Sequence, residues 1–204
     1  MRKQRFARLT ECVALSGLLC IGVCGCREHK ETFDPSQVEP VSVTIQPELR
    51  SGRESLPAYA AEDADVLVPV PLKETIRLFE EQGTGIVLYS EEDCLWCEKA
   101  VPLLAEACRL CGTKAYHVNT AGTIKPEDYD ALCKYIDATF ISDADGKQTF
   151  YLPEVIAVKN GEIIDWHISL TEDYRSEEAE ELSEEQRLEM LKIYTGLIAS
   201  IKDE

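Results

Sequence analysis

The stretch Gly85-Ile-Val-Leu-Tyr-Ser-Glu-Glu-Asp-Cys94-Leu-Trp-Cys97-Glu-Lys-Ala-Val-Pro-Leu-Leu-Ala105 reads as an apolar strand that runs into a Cys-x-x-Cys pair and then a helix. That order has a chemical reason. A thiol is a useful nucleophile only as thiolate, and the first turn of a helix offers unpaired backbone N–H groups and the positive end of the macrodipole. Cys94 falls at that start. Cys97 lies one turn deeper on the same face, close enough to close a disulfide and to release a partner from a mixed disulfide. The pair therefore reads as attacking thiol and resolving thiol.

Further along, Leu152-Pro153-Glu154-Val-Ile-Ala-Val-Lys-Asn160-Gly161-Glu-Ile-Ile reads as a strand, an Asn-Gly turn and a second strand. With both motifs in this order, the chain from Val66 onward resembles the thioredoxin superfamily, and more closely its secreted or lipid-anchored bacterial branch, the bacteriocin-transport-accessory type. The resemblance implies an α/β, thioredoxin-like fold, a central mixed β-sheet flanked by helices, with Pro153 as a cis-proline opposite the Cys pair. It implies catalytic roles for Cys94, Cys97 and Pro153, and substrate contacts at Trp96 and Leu152. Two departures stand out. Members carry a buried acid six residues before the first Cys, where this chain has Leu88, and a Trp just before that Cys, where it has Asp93.

Residues 1–25 carry Arg2, Lys3, Arg5 and Arg8 and then an eleven-residue apolar run, Val13 to Val23. Such a run is too short to span a bilayer core of about 30 Å as a helix, so it reads as a secretory signal. Val23-Cys24-Gly25-Cys26 resembles a bacterial lipobox, which makes Cys26 the lipidated first residue of the mature chain. Residues 26–64, polar and interrupted by Pro35, Pro40, Pro47 and Pro57, read as that lipidated N-terminus and a disordered tether. Within it the alternation Val41-Ser-Val-Thr-Ile45 would suit an edge strand, but tether is the reading adopted. Residues 65–204 form the thioredoxin-like domain.

The formal charge is -17, and without residues 1–25 it is about -20, from 17 basic against 37 acidic residues. A chain this acidic repels nucleic acid and anionic lipid surfaces, so membrane attachment would rest on the lipid alone. Nine cysteines are present, and Cys94, Cys97, Cys108, Cys111 and Cys133 remain once the signal and the acylated Cys26 are set aside. Outside the cytoplasm these can be oxidised.

The domain reads as strand 66–70, helix from Leu72 closed by Gly83, strand 86–89, helix 94–111 ended by Gly112, and strand 114–118. Then follow a helix from Pro126, a tight turn at Asp143-Ala-Asp-Gly146, the hairpin 155–158 and 163–168, and a last helix opened by a Ser183-x-x-Gln186 capping box. The run from Glu172 to Glu185 has eight carboxylates against Arg175 and reads as a solvated loop.

Glu91, Glu92 and Asp93 precede Cys94, and their charge opposes the thiolate that the helix start favours. The pair is thereby suited to reducing or exchanging disulfides rather than to strong oxidation. Trp96 either contacts substrate or packs over the first helical turn. Cys108-Arg-Leu-Cys111 could make four thiolates with the first pair, as zinc would require, but one helix would hold the two pairs roughly 21 Å apart. These two cysteines are then core residues or a second disulfide. Cys133 reads as an inert buried thiol, and His29, His117 and His167 receive no chemistry. The expected protein is an extracytoplasmic thiol-disulfide oxidoreductase, monomeric, without metal or cofactor, acting on protein dithiols or disulfides and lipid-anchored to the bacterial cell membrane. The rival is a non-catalytic accessory lipoprotein aiding export or assembly of a secreted product.

Overall fold

The computed structural model describes residues 33–121, 124–142, 146, 148–175 and 181–203. The chain runs β1 (Leu67–Pro69), α1 (Leu72–Glu80), β2 (Gly85–Ser90), α2 (Leu95–Cys111), β3 (Ala115–Asn119) and α3 (Pro126–Ile136). A two-stranded ribbon, β4 (Ile141–Ser142) with β5 (Gln148–Thr149), leads to β6 (Glu154–Lys159), β7 (Glu162–Ile168) and α4 (Glu184–Ser200). The main sheet has the order β1-β3-β2-β6-β7; β1, β3 and β2 are parallel, and β6 runs opposite to both its neighbours. This is the mixed sheet of a thioredoxin-like fold, and β2, which carries the chain to the Cys pair, is its buried centre.

Because side chains alternate across a strand, β2 feeds two cores. Ile86 and Leu88 join Val155 and Ala157 under α2 and α4. Val87 and Tyr89 join Ile156 and Val158 on the α1 and α3 side. The α2–α4 layer is also tied by Arg187, which donates to both oxygens of Glu106 at 2.6 and 2.8 Å. Gly112 ends α2 in the left-handed region at φ 70°. The capping box forms as the sequence predicts: Ser183 Oγ accepts from Gln186 N, and Gln186 Oε1 accepts from Ser183 N. Asn160 and Gly161 take positive φ at the hairpin turn.

The tether expectation fails for residues 33–64. This segment lies along the domain as a strap. Val41 N donates to the Cys111 carbonyl at 2.9 Å, and Gln46 exchanges backbone hydrogen bonds with Thr84. Leu49 is 3% exposed, with its N–H on the Tyr116 hydroxyl. Asp203 accepts from Ser42 and Thr44, and Arg109 binds Asp63 and Asp65. Gly83 makes the approach possible, since a Cβ there would meet the Gln46 carbonyl oxygen at 2.4 Å. The prolines exclude helix but not extended chain, and isolated apolar residues too few for a core of their own borrow one from the domain.

Asp143, Ala144 and Asp145 of the expected turn lie outside the described residues, as do 176–180 of the acidic run, Cys26 and the signal. The ribbon before Pro153 was not foreseen; its strands are two residues each and carry no legible period. Among the described residues no helix is long and apolar enough to cross a membrane.

If the strap contributes to stability, Leu49→Ala will cost about 2–4 kcal/mol in urea denaturation, the usual range for a buried leucine. A tether would lose nothing.

Candidate active site

Cys94 is the N-cap of α2, in extended conformation at φ -102° and ψ 106°, and the Cys97 N–H donates to its sulfur at 3.1 Å. The two cysteines form a disulfide, with Cα atoms 5.2 Å apart. Their exposure differs. Cys94 is half-buried, whereas Cys97 is fully buried. Cys94 is therefore the member of the pair that solvent reaches. The Cys97 N–H that meets the Cys94 sulfur is one of the helix's four free donors.

β6 enters the sheet beside the end of β2, Glu154 pairing with Tyr89, so the cis Leu152–Pro153 bond lies at the same sheet end as the Cys pair. Pro153 is buried and Leu152 half-buried, and Leu152 packs against the cluster that also receives Cys94. Leu95 and Trp96 stand out at 61% and 40% exposure, so Trp96 is not packed away over the helix. The side chains of Glu91, Glu92, Asp93 and Glu98 make no ion pair among the described residues, while Lys99 pairs with Glu181 at 3.4 Å. The thiol site is thus an apolar rim within unneutralised negative charge.

Cys108 and Cys111 lie at the far end of α2 as free, buried thiols, which burial pushes up to about 12 and about 11. Cys133 is half-buried rather than sealed, because α3 leaves part of that face open, and its thiol is also raised by burial. Among the described residues no three His, Cys, Asp or Glu side chains are grouped to hold a metal.

Four residues at the site were not assigned from sequence. In the register of β2 with β3, His117 pairs with Leu88. Fully buried, His117 meets Ser90 Oγ through Nε2 at 2.7 Å, and burial pushes it down to about 4. Ser90 Oγ is 2.9 Å from the Tyr59 hydroxyl, which donates to the Glu91 carbonyl at 2.8 Å. Strand alternation could have placed His117 beside Leu88 on the inner face; nothing local could have brought Tyr59 in from the strap. The fourth is Glu154, fully buried after Pro153 with both carboxyl oxygens unpaired. Burial pushes its carboxyl up to about 8, so it is largely protonated at neutral pH.

Fold and site together define a chain of thioredoxin-like fold that carries a disulfide-forming Cys-x-x-Cys pair. No family model matches the chain, and no curated protein does. Among solved structures it is similar to a thioredoxin from Aeropyrum pernix, at 18% identity and a TM-score of 0.35, over 49% of this chain and 73% of that one. That likeness is too weak to carry activity across, and the fold assignment rests on strand order and direction.

The buried acid makes stability depend on pH. A carboxyl whose pKa rises on folding from 4.5 to about 8 contributes stability that is complete below pH 4.5 and lost as pH climbs to about 8. His117, lowered from 6.5 to about 4, has the opposite slope, and its contribution is complete above pH 6.5. From pH 6.5 to 8, then, Glu154 dominates the pair. The unfolding free energy from urea denaturation in that window should fall with pH in the wild type, by up to about 1.4 kcal/mol per pH unit, and flatten in Glu154→Gln.

Proposed function

We propose that the chain is an extracytoplasmic thiol-disulfide oxidoreductase of the lipid-anchored, bacteriocin-transport-accessory type, held to the bacterial cell membrane through Cys26. The observation that carries the chemistry is the Cys94 sulfur at the start of α2, half-exposed, receiving the Cys97 N–H, with Cys97 sealed behind it. Support for the compartment comes from the basic, apolar and lipobox pattern of residues 1–26.

In the reducing direction the Cys94 thiolate attacks one sulfur of a partner disulfide. The partner's S–S bond breaks, and its other sulfur leaves as thiolate and takes a proton from water. Cys97 then loses its proton and attacks Cys94 Sγ, which expels the second partner sulfur as thiolate. Two electrons pass to the partner, and the pair ends as the disulfide. A dithiol donor would restore it by the reverse exchange. Pro153, Leu152 and Trp96 supply the surface against which the partner's chain lies.

A second reading is favoured by Leu88 and by the unneutralised Glu91, Glu92 and Asp93. With no carboxylate behind Cys97 and negative charge before Cys94, turnover would be slow, and the protein would serve as a binding or assembly factor with a static disulfide.

Replacement of the two cysteines separates these readings. Cys94→Ser should lower turnover of a model protein disulfide by about 100-fold or more, and Cys97→Ser should accumulate a mixed disulfide through Cys94. Equal, negligible turnover in wild type and both variants, with no trapped species, would favour the static disulfide.

A further inference from the structure

Beyond the two cysteines and Pro153, we propose that Tyr59 is a positioning residue of the thiol pair, supplied by the strap and acting through a one-way hydrogen-bond chain that ends on the loop before Cys94.

The direction of the chain follows from counting hydrogens. The Tyr59 hydroxyl has one, and gives it to the Glu91 carbonyl at 2.8 Å. In its 2.9 Å contact with Ser90 it must therefore accept, which commits the single hydroxyl hydrogen of Ser90 to Tyr59. Ser90 Oγ then accepts from His117, across 2.7 Å, so Nε2 carries the imidazole hydrogen. Nδ1 is left bare, and it is the ring atom without a partner. The order is His117, Ser90, Tyr59, Glu91 carbonyl, each donating to the next. Reversing the chain would take the donor from the Glu91 carbonyl and put an unpartnered hydrogen on the buried Nδ1.

The chain runs from the sheet interior to the peptide three residues ahead of Cys94. Its anchor is firm: His117 and Ser90 are fully buried in adjacent strands. Its far end is the loop whose conformation sets Cys94 as N-cap and brings the Cys97 N–H onto its sulfur. Tyr59 itself rides on the strap's 3-10 helix, Ala58–Asp63, held separately by Arg109 through Asp63 and Asp65. Without the phenol O–H, the Glu91 carbonyl loses its donor and the Ser90 hydroxyl its acceptor. The loop gains freedom, and the sulfur loses part of its fixed N–H.

The titratable and charged groups around the pair are Glu91, Glu92 and Asp93 in its loop, Glu98 and Lys99 on α2 with Glu181 paired to Lys99, Tyr59 on the strap, His117 on β3 and Glu154 on β6. Burial, and to a lesser extent the field of Glu92, Glu98 and Glu91, raises the phenol to about 12. His117, pushed down to about 4, is neutral throughout the range in which a thiol titrates. Neither ionises between pH 6 and 9; Glu154 does, pushed up to about 8 by burial, but it is present in wild type and variants alike, so a midpoint displaced from the wild-type one reports the change in the sulfur's surroundings.

This inference rests on the reading of Cys94 as the attacking thiol. The test is the pH profile of Cys94 alkylation by iodoacetamide in the reduced full chain, followed on the Cys94 peptide by mass. Tyr59→Phe and Ser90→Ala should each move the midpoint upward and slow alkylation at pH 7 by about 3- to 10-fold. Arg109→Gln, which loosens the same 3-10 helix without touching the chain, should leave the midpoint in place. A wild-type midpoint in Tyr59→Phe, or an equal displacement in Arg109→Gln, would overturn the proposal. Alkylation needs no turnover. A wild type that exchanges with no partner disulfide, but whose midpoint still shifts in Tyr59→Phe, would therefore refute the proposed activity and leave the positioning role standing.

Discussion

One backbone N–H, that of Cys97, meets the sulfur of Cys94 at 3.1 Å, and the site is built so that it can. β2 must be central and buried to deliver the chain to that point, and the residue before α2 must stay extended to act as cap. A helix terminus favours a negative sulfur by about 0.3–1 kcal/mol when exposed and up to about 2 when partly buried. Glu91, Glu92 and Asp93, one to three residues away, oppose it. On the proposed redox role the two effects work against each other and the thiolate gains little. A reduced state that gains little leaves the disulfide comparatively favoured, which suits a pair that gives electrons rather than takes them.

Why Cys97 is sealed while Cys94 is not follows from helix geometry. Cys94 caps α2 at the rim, and Cys97 lies one turn deeper on the same face, where it joins Leu88 in the α2–α4 core. That burial protects the Cys97 sulfur from adventitious oxidation. The polar groups the structure does place behind the rim are Ser90, His117 and Tyr59, which are organised to hold the loop.

The β2–α2 unit, the Asn160-Gly161 hairpin and the last helix were legible because each has a local cause: an unbroken apolar run, a turn that needs positive φ, a reciprocal cap. The strap was not. Its Val41, Leu49 and Tyr59 are solitary apolar or aromatic residues among prolines and acids, and their meaning depends on grooves formed by Cys111, Tyr116 and Ser90, far away in sequence. Glu154 was hidden for a related reason. It stands at the start of an apolar strand, where a carboxylate reads as a solvent-facing end, and only pairing with Tyr89 beneath α1 and α3 shows that it is buried.

The proposed activity requires that Cys94 and Cys97 interconvert between dithiol and disulfide. The most direct measurement is their equilibrium titration against glutathione and dithiothreitol buffers. A single reversible two-electron transition at about -270 mV or lower is the predicted result, and it would place the pair among reductants. A reversible transition near about -120 mV would contradict the direction assigned here, since that is the range of a strong oxidant. No reversible transition at all would contradict the claim itself.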